Sequence, residues 1–140
     1  MRIQDRLSPP RKFGLIGLPA DELDLVVPKG DGHTETRWRA RRRRAAAPRS
    51  LLPLTLTLTD YAETEKVADL PRRLSTADAP AGVDPDVGDI AYYAPWKNLA
   101  IFYRDAVYAT GLVKLGSIDS GIRELAGMSE DFTITIEAAG

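Results

Sequence analysis

The sequence predicts a mainly β domain, a small barrel or sandwich with one or two short helices, and three stretches predict it. In Leu54-Thr55-Leu56-Thr57-Leu58-Thr59 leucine and threonine alternate strictly, the period-two signature of a strand with one buried face. Phe132-Thr133-Ile134-Thr135-Ile136-Glu137 repeats that pattern near the end of the chain. Between them residues 88–103, GDIAYYAPWKNLAIFY, read as two apolar strands, 89–93 and 99–103. Their Tyr, Ile and Phe suit a pleated surface, and Pro95, which has no N–H for a ladder, places the turn at residues 94–98.

The remaining elements follow in order. Asp60-Tyr61-Ala62-Glu63-Thr64 turns the chain, and residues 65–70 return as the partner strand until Pro71 ends the pairing. Residues 72–88, rich in Pro, Gly, Asp and Ala, form a long loop of the kind that lines sites. Gly88 lets the backbone turn into the hairpin. After a connection at 104–110, residues 111–117 are a further strand. Asp119 or Ser120 caps a short helix over 121–126, which Gly127 stops.

Residues 1–50 differ in character. They hold 12 Lys+Arg against 6 Asp+Glu, whereas residues 51–140 hold 7 against 14. The run Arg37-Trp38-Arg39-Ala40-Arg41-Arg42-Arg43-Arg44 could grip nucleic acid through phosphates and one stacking ring. With a single aromatic beside mutually repelling charges, a solvated, poorly ordered basic segment is the favoured expectation, and a nucleic-acid partner is disfavoured. Residues 20–27 suit a short helix or strand, and 41–50 a helix limited by Pro48. The chain therefore divides into a basic segment, 1–50, and a folded domain, 51–140.

Composition bounds the chemistry. The 140 residues suffice for one domain with a core, and 44% hydrophobic with 28% charged residues is ordinary for a globular protein. No cysteine means no disulfide, thiolate metal site or cysteine nucleophile. The single histidine, His33, falls outside the expected domain, so the usual general base and zinc ligand are missing from it. Neither a metal nor another cofactor is expected. The apolar patch at 13–19 is too short to span a membrane and lacks a signal-peptide cleavage site, so a cytoplasmic protein without a membrane partner is the default expectation.

Several of these stretches together resemble the bacterial and archaeal cyclophilin-like proteins, a family largely without assigned function. They are LLPLTLTLTDY (residues 51–61), LPRRLSTADAPAG (70–82), VGDIAYYAPWKNLAIFY (87–103) and GLVKLGSIDSG (111–121). The resemblance covers residues 51–137 and implies a closed β-barrel of the cyclophilin type with short helices. Two departures matter. Relatives open with a hairpin and a helix leading into LLPL, which residues 1–50 do not resemble. Their arginine-rich composition is that of a shifted reading frame in a GC-rich gene, so part of the segment is expected to be non-native and the barrel incomplete at its N-terminus. Lys97 also stands where the family's loop commonly has glycine.

The resemblance does not carry prolyl isomerase chemistry over. Cyclophilins use an arginine in a Phe-His-Arg segment and a glutamine on the hairpin's second strand. This chain has no Phe-His-Arg, and the glutamine position falls near Ala100.

The candidate ligand-binding residues are Arg72, Arg73, Tyr92, Trp96, Asn98 and Tyr103. Trp96 and the tyrosines, with Tyr93, cluster around one turn. They suit an aromatic pocket in which Asn98 directs hydrogen bonds, or alternatively barrel packing with Asn98 satisfying turn backbone. Arg72 and Arg73 suit a carboxylate or phosphate, or simply solvent. The scattered acids Asp60, Glu63, Glu65, Asp84, Asp86 and Asp89 lack calcium-loop spacing. Ser75-Thr76 lacks a histidine to activate it. The function expected is a non-catalytic domain binding a peptide or small polar ligand, and the alternative is a divergent prolyl isomerase using Arg72 or Arg73.

Overall fold

A computed structural model describes residues 22–29, 32–43 and 51–139. They build strands β1 (Glu22–Pro28), β2 (Glu35–Arg42), β3 (Leu54–Tyr61), β4 (Glu65–Asp69), β5 (Gly82–Val83), β6 (Asp89–Tyr93), β7 (Asn98–Phe102), β8 (Ala109–Thr110), β9 (Leu112–Ile118) and β10 (Phe132–Ala138). One helix, α1 (Ile122–Ala126), lies between β9 and β10. Eight strands close a barrel in the order β1-β10-β3-β4-β7-β6-β9-β2, and β2 returns to β1. Every pairing is antiparallel, and β5 with β8 forms a separate ribbon.

The alternating stretches behave as their period dictates. β3 turns Leu56 and Leu58 inward and β10 turns Ile134 and Ile136 inward, all buried. On the outside Thr55 meets Thr135 and Thr57 meets Thr133, hydroxyl to hydroxyl at 2.9 and 3.4 Å. The expected strands over 54–59, 65–70, 89–93, 99–103, 111–117 and 132–137 are all present, with ends shifted by one or two residues.

The expectation for residues 1–50 needs correction. β1 and β2 are two staves of the barrel, so no edge is left open, and His33 sits in the connection between them. Over β2 the arginine density is one half of an alternation. Trp38 and Ala40 face the core, Trp38 only 2% exposed, while Arg37, Arg39 and Arg41 face out. Each outward arginine meets carboxylates. Arg37 reaches Asp24, Glu35 and Glu137 at 3.3, 2.8 and 3.0 Å. Arg39 reaches Glu22 and Asp24 at 3.1 and 3.3 Å, and Arg41 reaches Asp119 at 3.4 Å. The charge asymmetry between the two parts of the chain is thus partly a cross-strand pairing. Residues 1–21 and 44–50, which include the apolar patch and most of the expected 41–50 helix, lie outside the described residues.

The helix cap is a second correction. The residue before α1 is Gly121, and no side chain caps the helix. Ser120 instead accepts a hydrogen bond at Oγ from the Arg39 N–H, 2.9 Å, tying the start of the helix to β2. Gly121 has φ +89°, and a Cβ there would lie 2.2 Å from the Trp38 ring. The turn between β6 and β7 keeps its form although it lacks the family's glycine, because Lys97 itself adopts φ +57°.

Three substitutions test this reading by urea unfolding. Gly121→Ala is expected to lose about 3 kcal/mol through combined strain and overlap with Trp38. Gly127→Ala, whose nearest neighbours would be 3.5 Å away at an ordinary φ of −83°, should change stability by less than about 0.5 kcal/mol. Lys97→Gly should gain about 0.5–1 kcal/mol, the left-handed cost of a side chain less the chain entropy of glycine.

Candidate ligand-binding groove

β6 and β7 are buried on both faces, which is why residues 89–93 and 98–102 read as continuous apolar runs rather than alternations. Inward, Ile90, Tyr92, Leu99 and Ile101 join the barrel core. Outward, Ala91, Ala100, Phe102 and Leu112 form a second small core beneath Val83, Ala106 and Ala109. Ala91 and Ala100 are cross-strand partners, and their small side chains let the 82–88 and 103–111 segments settle onto the sheet.

That outer cover is incomplete. It leaves a groove of about 240 Å³ whose floor includes Glu65 and Val67 of β4 and Asn98 and Phe102 of β7. These four share one face because Glu65 pairs with Phe102 and Val67 with Ala100. Tyr61, Tyr93 and Trp96 supply aromatic walls, and Pro85, Ala106, Val107 and Ala109 supply aliphatic ones. Trp96 is 57% exposed and meets both tyrosines edge to face, with centroids 5.8 Å from Tyr61 and 5.4 Å from Tyr93. Val107, 83% exposed, stands at the lip.

Asn98 is 7% exposed, and among the described residues its Oδ1 has no hydrogen-bond partner. No described cation lines the groove beside Glu65, whose pKa is pushed up by burial and then by the nearby Asp60 charge. Both are acceptors left over by the fold.

The candidate residues separate. Trp96 and Asn98 come together in the groove with Tyr93. Tyr92 lies in the barrel core, where its hydroxyl accepts the Leu74 N–H at 3.2 Å and pins the long loop over the barrel. Arg72 and Arg73 are exposed outside the groove; Arg73 Nη1 reaches the Ala94 carbonyl at 3.4 Å. Tyr103 points to the opposite face of β7 from Phe102 and packs against the barrel core. Sequence reasoning missed Tyr61 and Glu65 as groove residues. Their signal was weak, since Glu65 follows a turn and its outward facing depends on register.

Tyr103 belongs to a polar cluster at one end of the barrel. Its hydroxyl donates to Asp60 Oδ1 at 2.5 Å, and Asp60 Oδ2 accepts the Glu63 N–H at 3.0 Å. Lys66, with 3% of its side chain exposed, contacts Asp60 at 3.3 Å and donates to the Met128 carbonyl at 2.5 Å. The Tyr103 hydrogen bond, with help from the Glu63 N–H and Lys66, holds Asp60 below its usual range. Burial first, and Asp60 second, push Tyr103 up from 10.0 to about 12.

The matched residues of a family described as the Cyclophilin-like family are 33–137. The chain belongs to the cyclophilin-like family. The match begins before β2, in agreement with the corrected boundary of the domain. This cyclophilin-like chain is also similar to the solution structure of the hypothetical protein AF2241 from Archaeoglobus fulgidus, with TM-score 0.60 and 18% identity. The likeness covers 91% of this chain and 100% of that one and shows the fold alone. None of the curated proteins matches. Among the described residues no helix is long and apolar enough to cross a membrane.

The polar cluster sets the signs of the pH dependence. A lowered Asp60 adds stability that is complete above its ordinary value of 3.8 and is lost as the pH falls through its folded value. A raised Tyr103 adds stability that is complete below pH 10 and is lost as the pH climbs toward 12. Ultraviolet titration should show a tyrosine ionising near 12 that Tyr103→Phe removes. Asp60→Asn should lower it without bringing it fully to 10, because burial remains.

Proposed function

We propose that this cyclophilin-like domain is a non-catalytic binding module whose groove takes a peptide or small polar ligand. The observation that carries the reading is Asn98: a side chain more than nine-tenths buried, lining a groove, with an acceptor that no group of the described chain satisfies. Leaving such an atom unpaired costs about 1–3 kcal/mol, a cost that a ligand N–H or O–H would offset. The exposed Trp96 and Val107 beside it are the apolar surface that a bound ligand would cover. Among the described residues neither arginine nor histidine lines the groove, which supports binding over arginine-assisted isomerisation.

Two other cavities support a ligand less well. The cavity at the leucine-lined end of the barrel, around Leu23, Leu52 and Leu99, holds only about 50 Å³. A cleft of about 240 Å³ between Ser75, Asp78 and Lys114 has its lysine already paired with Asp89 at 3.0 Å.

The test is a fragment and peptide screen of the full chain by two-dimensional NMR. Hits should move the Trp96 indole and Asn98 amide signals and leave the Trp38 indole in place. Trp96→Ala should weaken them roughly tenfold or more, as truncation of a central aromatic does, with little change in melting because Trp96 is exposed. No hit at the groove, or hits confined to the Ser75–Lys114 cleft, would overturn the reading.

A further inference from the structure

Among the described residues no lysine or arginine lines the groove. Glu65 offers a carboxylate that forms no ion pair with any described residue, Asn98 lines the groove with a shielded Oδ1 that no described group satisfies, and Tyr61, Tyr93 and Trp96 offer ring surfaces. The nearest lysine in sequence, Lys66, points into the barrel and is held by Asp60 and the Met128 carbonyl. An uncompensated carboxylate beside electron-rich rings attracts a cation, and aromatic faces favour one that sheds water readily. A buried amide oxygen selects a hydrogen-bond donor, and a half turn about χ2 exchanges the two amide heteroatoms of Asn98 at the groove.

We infer that the groove recognises an ammonium group, seated at Glu65 against the Tyr61 and Trp96 rings, on a ligand that also donates an N–H to Asn98. This rests on the binding function proposed above. Phe102, the partner of Glu65, lies four residues from Asn98 along β7, a separation of roughly 13 Å on a strand. A single small amine cannot bridge that length. A lysine-bearing extended peptide can, with the ammonium at one end and a backbone N–H at the other.

The test titrates isotope-labelled full chain with acetylated, amidated Ala-Ala-Lys-Ala-Ala, with the same peptide carrying norleucine for lysine, and with n-butylamine. The lysine peptide is expected to shift the Trp96 indole and Asn98 side-chain amide in a saturable way and to bind roughly tenfold tighter than the norleucine peptide. Glu65→Gln should remove most of that difference while leaving norleucine binding unchanged, so a folding defect would show as loss of both. If butylamine matches the lysine peptide, the two-point reading is overturned, because an amine too short to reach Asn98 would then suffice. Equal binding of lysine and norleucine peptides would overturn the ammonium specificity and leave the binding module standing. If no probe moves the groove signals, the inference falls, and the fragment screen separately decides the binding reading.

Discussion

The barrel exists because β2 can close it. β2 pairs with β1 over seven residues but with β9 over only three, Ala40 to Ile118, Arg41 to Ser117 and Arg42 to Gly116. That short seam permits no side chain at Gly116, where a Cβ would lie 2.2 Å from the Arg41 carbonyl oxygen. Trp38 fills the interior behind it, edge to face with Phe132 of β10 at 6.2 Å and packed against Gly121. Closure also removes the open sheet edge that a barrel starting at residue 51 would present. The outward arginines then cross from β2 to acids on β1 and β10 and after β9. Exposed pairs of this kind are individually weak, but they keep the face of β2 from being a concentrated positive charge.

Closing the barrel also creates the surface on which the groove is built. With the interior filled from one face of each strand, the opposite face of β4, β7 and β6 is covered by chain outside the barrel, the β5–β8 ribbon and the loops beside it. The 82–88 and 103–111 segments do this over Ala91 and Ala100, where the sheet is shallow, and stop short of Asn98 and Glu65. The aromatic wall rises from the hairpin turn and from the end of β3, elements whose positions the barrel register sets. The groove is therefore a property of where the second layer ends.

What could be read from the residues follows the strength of each local signal. Leu54 to Thr59 and Phe132 to Glu137 announce themselves because leucine or isoleucine alternates with a small polar residue. In Thr36-Arg37-Trp38-Arg39-Ala40-Arg41 the same period is present, but six of the eight residues 37–44 are arginine, and their charge outweighs the alternation until the acids of β1 and β10 are known to lie across from them. Those partners are up to 100 residues away in sequence, as Arg37 and Glu137 are. Ser120 looked like a helix cap because its type and place suit one, yet the Arg39 N–H competes for its oxygen. In the candidate groove, the proximity of Trp96 and Asn98 is legible from their shared turn. Glu65 and Tyr61 are not, since which face a residue takes reverses with a one-residue slip in register.

The division between the structural polar cluster and the groups proposed to bind comes from accounting for their partners. Lys66, Asp60 and Tyr103 form a charged cluster built on a buried lysine, and by composition alone they resemble a reactive centre. Each is occupied by another: the ammonium by a carboxylate and a carbonyl, the carboxylate by a phenol and a backbone N–H, the phenol by the carboxylate. Removing one member would strand the rest, which is how a structural network behaves. Glu65 and Asn98 sit on the other side of the same two strands and lack that closure. Folding has already incurred the desolvation of both, and nothing in the described chain returns it. Beside a buried lysine so completely satisfied, the described chain leaves the Asn98 Oδ1 without a donor and Glu65 without a cation, and these are the two residues on which the proposed function rests.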